Sequence, residues 1–198
     1  MGSVTSLRII AGRLRGRELG KVVDGVRPTT DRVRESLFSS LGDLEGISVL
    51  DLFAGTGALG LEAYSRGAER VMFVERSKRV ARALRKRLES FDLAEEPGLQ
   101  IVEAEAQKAV RRLESDPEAR FDLVFLDPPY LEGENESHRE PTLEALFSGS
   151  LLNPRATVVV EGPTRHHLAP LPGIRVLDER RYGDTLLTWL ESATDDPE

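Results

Sequence analysis

Two short stretches hold residue types that can do chemistry together: Val49-Leu50-Asp51-Leu52-Phe53-Ala54-Gly55-Thr56-Gly57-Ala58-Leu59-Gly60 and Asp127-Pro128-Pro129-Tyr130. In the first, Gly55 and Gly57 allow a sharp turn and a close backbone approach to a ligand, and Gly60 lets a helix pack tightly on a sheet. In the second, two prolines stiffen the chain and remove two amide donors. What remains is a set of acceptors, the backbone carbonyls and the Asp127 carboxylate, beside the flat face of Tyr130. That combination suits a planar exocyclic amine, which donates two hydrogen bonds while its ring stacks. Such a nitrogen is a poor nucleophile because its lone pair is delocalised. Acceptors on both N–H bonds favour the pyramidal nitrogen and the positive charge it acquires on attack. Alignment of the reacting atoms contributes up to roughly 7–11 kcal/mol, against roughly 1.5–3 for the Asp127 bond and roughly 1–3 for stacking. Positioning dominates, and no strong general base is required.

The glycine pattern fits either a dinucleotide or S-adenosylmethionine. Asp51, Glu75, Glu105 and Asp127 fall at or just past the ends of four successive predicted strands, and in an open parallel sheet those ends line one crevice. A pyrophosphate beside Asp51 meets like charge, a repulsion of several kcal/mol at an effective dielectric of about 20. S-adenosylmethionine carries an ammonium and a sulfonium, which acids attract, so the cationic cofactor is expected. Glu75 is placed to take ribose hydroxyls. Asp51 could instead brace the loop, and Glu105 could instead cap a helix.

These residues need a scaffold, and the hydrophobic pattern from Ile47 onward supplies one. Strands are expected at Ile47–Leu52, Arg70–Glu75, Leu99–Val102, Phe121–Leu126 and Ala156–Glu161. Helices are expected at Ala58–Arg66, Ser77–Phe91, Ala106–Glu114 and Thr142–Phe147. This alternation predicts an α/β fold with a doubly wound, mostly parallel seven-stranded sheet. Ile174–Arg181 and Thr185–Leu190, joined at Tyr182-Gly183-Asp184, complete it as a terminal antiparallel hairpin. The polar stretch 131–141 reads as a mobile loop able to close over a bound base. Ahead of the core, Leu7–Ile10 and Arg17–Leu19 are extended pieces around a Gly/Arg-rich turn. They lead to a helix with Val33, Leu37, Phe38 and Leu41 on one face and Thr29 or Thr30 as its N-cap. The division expected is an N-terminal extension (1–43), a main domain (44–191) and a disordered tail (192–198).

Composition excludes several classes. The 198 residues contain no cysteine, so disulfides, thiolate metal sites and thiol catalysis are ruled out. No apolar run reaches the roughly 18 residues of a membrane span, and the first residues lack the pattern of a secretory signal. A cytoplasmic monomer with no membrane contact is expected. His138, His166 and His167 lack metal-ligand spacing, so no metal is expected. The basic face of Lys78–Arg87 reads as solvent-facing, Trp189 as core, and Glu132–Glu140 as a solvated loop. The net charge is −7, yet residues 1–40 hold eight basic groups against four acidic ones. A basic head on an acidic body can face phosphates.

Taken together, the glycine loop and Asp127–Tyr130 look like the amino-methylating S-adenosylmethionine-dependent methyltransferases. With Arg8-Ile9-Ile10-Ala11-Gly12 and Arg27-Pro28-Thr29-Thr30-Asp31-Arg32-Val33-Arg34-Glu35, residues Leu7 to Leu190 closely resemble the bacterial 16S rRNA (guanine(966)-N2)-methyltransferase family. The Arg-Pro-Thr-Thr segment is the specific part, since adenine-N6 enzymes share the Asp-Pro-Pro-Tyr motif. The resemblance implies that Asp51, Phe53, Ala54, Gly55, Thr56 and Gly57 surround the methionine part of S-adenosylmethionine. Glu75 would hold the ribose, and Arg76, Glu105 and Ala106 would border the adenine, although relatives often carry Asn or Asp where Glu105 stands. Asp127, Pro128, Pro129 and Tyr130 would receive the target guanine. Arg8, Arg13, Arg15, Arg17, Arg27, Thr29, Thr30, Arg32 and Arg34 would contact RNA, the partner being 16S rRNA or an assembling small ribosomal subunit. An adenine-N6 methyltransferase, a dinucleotide-dependent oxidoreductase and a silent RNA-binding module are the alternatives.

Overall fold

The computed structural model describes residues 7–20, 30–128, 139–165 and 167–193. Its elements run α1 (Asp31–Leu41), β1 (Ser48–Leu52), α2 (Ala58–Ser65), β2 (Arg70–Val74), α3 (Lys78–Ser90) and β3 (Leu99–Val102). They continue with α4 (Ala106–Leu113), β4 (Phe121–Leu126), α5 (Arg139–Ser148), β5 (Leu152–Pro163), β6 (Ile174–Tyr182) and β7 (Thr185–Ser192). The strands form one seven-stranded sheet in the order β3-β2-β1-β4-β5-β7-β6. β1 to β5 are parallel, and β7 pairs antiparallel with both β5 and β6. The expected α/β architecture with a terminal antiparallel hairpin is the one observed.

Alternating strand residues feed two core layers. Val49, Phe73, Leu123, Phe125, Val159 and Leu187 pack on one face with α1, α2 and α3. Leu50, Leu52, Val74, Val124, Leu126, Val158 and Val160 pack on the other with α4 and α5. Central strands covered on both faces must be apolar throughout, and β1 is accordingly buried along its whole length. Helix α3 shows the opposite pattern, burying Val80, Ala81, Leu84 and Leu88 on one side. Ser77 caps it, its hydroxyl accepting from the Val80 N–H.

The N-terminal segment joins this core. Arg8 and Glu18 form an antiparallel bridge, and the Leu19 N–H donates to the Leu7 carbonyl at 2.7 Å. Leu7, Ile9, Leu14 and Leu19 are buried in the same layer as α1 and α2. Thr30 is the N-cap of α1, accepting from the Val33 N–H.

Three boundaries differ from expectation. β5 begins at Leu152 because Asn153 donates to Asp122 at 2.7 Å and Phe121 pairs with Leu152 across an irregular register. Its polar start, Pro154 and the positive φ of Arg155 hide this from an apolar-run reading. α5 begins at Arg139, so Pro141 sits in its first turn, where a missing N–H costs nothing. That takes 139–141 out of the expected loop; 131–138 lie outside the described residues. β7 runs to Ser192 and the Ala193 N–H donates to Gly173, so the first two residues of the expected tail are ordered, and 194–198 lie outside the described residues.

Candidate active site

The strand order reverses between β1 and β4, where an open α/β sheet has its ligand crevice. β1 pairs with β2 through Leu52–Val74 and with β4 through Leu52–Leu126. The next residue on each strand is therefore Glu75, Phe53 and Asp127, side by side at one edge of the sheet. Three of the four acids singled out in the sequence are brought together here: Asp51, Glu75 and Asp127. Glu105 stands further out, beyond β3 at the start of α4. Its side chain is 54% exposed and pairs with Lys108 at 2.7 Å. It makes no side-chain cap bond to α4, so the capping alternative is not realised.

Asp51 and Glu75 hold the glycine loop in shape. The loop leaves β1 through Phe53 (φ 63°), Gly55 (φ 53°) and Gly57 (φ 73°), three residues in the left-handed region. For Phe53 that conformation is strained, and such strain concentrates at ligand sites. The Gly55 N–H donates to Glu75 Oε2 at 3.1 Å, and the Ser77 N–H donates to Glu75 Oε1 at 2.7 Å. The Gly60 N–H, in the first turn of α2, donates to Asp51 Oδ2 at 3.0 Å. Asp51 is 2% exposed. Burial pushes its carboxyl up to about 7, the Gly60 hydrogen bond opposes the shift, and the nearby Glu75 charge adds to it. Bracing by Asp51 is thus observed, and it leaves a buried acid poised to ionise beside a cation.

Two glycines are required by contact. A Cβ on Gly57 would sit 2.5 Å from Leu84 Cδ1, and one on Gly60 would sit 2.4 Å from Phe73 Cε1. The remaining expected cofactor residues border the same edge. Ala54 and Thr56 are buried in the loop, Phe53 packs with Val102, Ala104 and Ala106 on the α4 layer, and Arg76 is exposed beyond Glu75. Buried carboxylates next to an apolar wall fit a cationic ligand with a flat ring, and so fit S-adenosylmethionine better than a pyrophosphate.

On the other side of the crevice, Asp127 and Pro128 are half-buried where β4 ends. Pro129 and Tyr130 lie outside the described residues, as do Arg27, Thr29, His138 and His166. His167 is exposed, and among the described residues no group of His, Asp and Glu is arranged to hold a metal. Trp189 is buried in the core, as expected.

Of the N-terminal basic residues, Arg8, Arg13, Arg15, Arg17 and Arg32 are exposed. Arg13 lies 3.7 Å over the Tyr64 ring, and Arg17 lies 5.3 Å over Phe91 while donating to the Ser90 carbonyl. Stacking fixes their stems and leaves guanidinium edges outward.

Arg34 corrects the sequence reading: its side chain is 0% exposed and cannot reach RNA. It donates to the Arg8 carbonyl at 2.6 Å and to Asp31 at 2.8 Å, and lies 3.7 Å from Glu62, itself fully buried. Glu62 in turn accepts from the Ile10 and Ala11 N–H groups and from Arg66. This network fastens the N-terminal segment to α2, directly behind the glycine loop. Glu62 was recognisable in principle, since a lone acid in a helix otherwise buried on every side must be paired.

Arg87 is a second correction to the expected solvent-facing helix surface. It turns inward and donates to the Thr56 carbonyl at 2.5 Å.

The chain matches the family model described as Conserved hypothetical protein 95 over residues 7–191. It is 38% identical over 157 residues to Ribosomal RNA small subunit methyltransferase D of Haemophilus influenzae, covering 78% of each chain. It is 36% identical over 169 residues to the Escherichia coli K12 protein of the same name, covering 84% of this chain and 79% of the other. Among solved structures it resembles yhhF of Escherichia coli, provisionally described as a methyltransferase. The TM-score is 0.79 at 33% identity, over 94% of this chain and 98% of that one. The chain belongs to the Conserved hypothetical protein 95 family and is a relative of the ribosomal RNA small subunit methyltransferases D.

Proposed function

We propose that this protein methylates small-subunit ribosomal RNA using S-adenosylmethionine, and that its target is the exocyclic N2 of a guanine, guanine 966 in customary numbering. The observation that carries the reading is the placement of Asp127, at the exit of β4, beside Phe53 and the braced glycine loop. Kinship with named rRNA methyltransferases supports the RNA substrate.

When bound, S-adenosylmethionine supplies a methyl carbon activated by its sulfonium. Asp51 and Glu75 favour its positive charge and ribose hydroxyls, and the Phe53–Ala106 wall accepts its adenine. Asp127 accepts a hydrogen bond from the target amine. It stabilises the charge that develops on nitrogen by roughly 1.5–3 kcal/mol. The base must leave its stack to reach this point, at a cost of a few kcal/mol. Pro128, Pro129 and Tyr130 form the rest of its slot. Arg8, Arg13, Arg15, Arg17, Arg27, Thr29, Thr30 and Arg32 contact the RNA backbone, making 1–43 the RNA-binding extension of domain 44–191. The protein works as a cytoplasmic monomer.

The test is to incubate the protein and labelled cofactor with small subunits from cells lacking it, then digest the RNA to nucleosides. N2-methylguanosine is expected. N6-methyladenosine would establish the adenine alternative, and binding of nicotinamide cofactor without S-adenosylhomocysteine would establish the oxidoreductase.

A further inference from the structure

Asp127 has a neighbour that no motif contains. β4 and β5 pair in parallel up to Leu126–Val160, so Asp127 and Glu161 come next on strands about 4.8 Å apart. Side chains alternate along a strand. Phe125, Val159 and Leu187, the cross-strand partner of Glu161, all lie in the layer under α1, α2 and α3. Asp127 and Glu161 therefore share that side of the sheet with Asp51, and Glu161 is only 9% exposed. Placing a second carboxylate beside Asp127 is by itself unfavourable, because like charges repel and buried acids lose hydration. A ligand presenting adjacent N–H donors reverses that balance.

The two candidate bases differ on this point. Guanine presents N1–H next to its N2 amine, two neighbouring donors. Adenine presents its N6 amine next to N1, a lone pair that a carboxylate repels. We propose that Glu161 is a specificity-determining residue that accepts the N1–H of guanine while Asp127 takes the amine. This rests on guanine being the target base. It explains how a turn shared with adenine-modifying enzymes can be committed to guanine by a residue 34 positions downstream.

The test uses small subunits reconstituted with either guanine or 2-aminopurine at the target position. 2-Aminopurine keeps the N2 amine but carries a lone pair at N1. The wild-type protein should prefer guanine. Glu161→Gln, whose amide can donate to that lone pair, should lower the guanine-to-2-aminopurine ratio of kcat/KM by roughly 10–100-fold. Glu161→Asp should keep the guanine preference at reduced rate. Calorimetric affinity for S-adenosylhomocysteine should stay within about twofold of wild type in both variants, since neither change touches the glycine loop. If the wild type methylates guanine and Glu161→Gln slows both substrates equally or neither, Glu161 does not read the base and the proposal fails. Loss of the guanine preference in Glu161→Asp would overturn it too. If the wild type leaves guanine unmodified and methylates adenine, the guanine reading itself has failed, and this inference with it.

Discussion

The two sides of the crevice are built differently. On the β1–β2 side, Asp51 and Glu75 are buried, and their oxygens accept from loop amides at 2.7–3.1 Å. Leu84 and Phe73 leave no space for a side chain at Gly57 or Gly60. This side is set by its own hydrogen bonds before any ligand arrives. On the β4–β5 side, Asp127 is half-buried, and the exposed arginines that complete the surface come from the far end of the sequence. A small ligand of fixed shape can be met by a preformed cradle, whereas a nucleobase drawn from a folded RNA must be admitted before it is gripped. The Glu62–Arg34 network is the seam between the two, since it ties the arginine-bearing segment to the helix that starts at the glycine loop.

Breaking the seam should have the largest effect. Glu62→Ala leaves the buried Arg34 without its partner, and urea unfolding should show a destabilisation of about 3–5 kcal/mol. A value below about 1 kcal/mol would mean that apolar packing alone holds the segment. Next, Asp127→Ala should lower kcat by about 10²–10³-fold while calorimetry finds S-adenosylhomocysteine affinity nearly unchanged. Parallel loss of both would merge the two sides into one unit.

Asp51 offers a pH test of the preformed side. With its carboxyl at about 7 in the folded protein against about 3.9 when unfolded, the folded state retains a proton that the unfolded chain releases. Its contribution to stability is full below about pH 4 and is lost as pH rises to about 7. Binding a cation favours the ionised form, so affinity for S-adenosylhomocysteine should climb with pH below 7, by up to about tenfold per unit. Asp51→Asn should flatten both profiles. A wild-type affinity independent of pH would show that Asp51 does not face the ligand's charge.

The smallest effect concerns the RNA face. Neutralising Arg13, Arg15 and Arg17 should reduce the slope of log affinity against log salt by roughly 0.7–0.9 for each phosphate that is no longer neutralised. An unchanged slope in filter binding would move the RNA surface elsewhere.

Much of this architecture could be read along the chain because it depends on local periodicity. β3 and β4 begin and end where the apolar runs do, and the Gly55-Thr56-Gly57 turn lies between a strand and a helix as its spacing demands. Arg34 shows where that kind of reading stops. In sequence it is one of several arginines in a basic stretch, and only the position of Glu62, 28 residues later, makes it a buried strut. Arg87 fails for the same reason, belonging to a helix whose amphipathic pattern points it outward until the Thr56 carbonyl comes within reach.

The order of residues by itself determined the layered α/β plan, the glycine turn and the acceptor-rich exit of β4, because each follows from side-chain period, backbone freedom or proline chemistry over a few neighbours. Tertiary structure alone decided which charges are shared. Asp51 with Gly60, Glu62 with Arg34, and Asp127 beside Glu161 are neighbours through strand register and helix packing, and the role of a charge depends on what lies within a few ångströms in space.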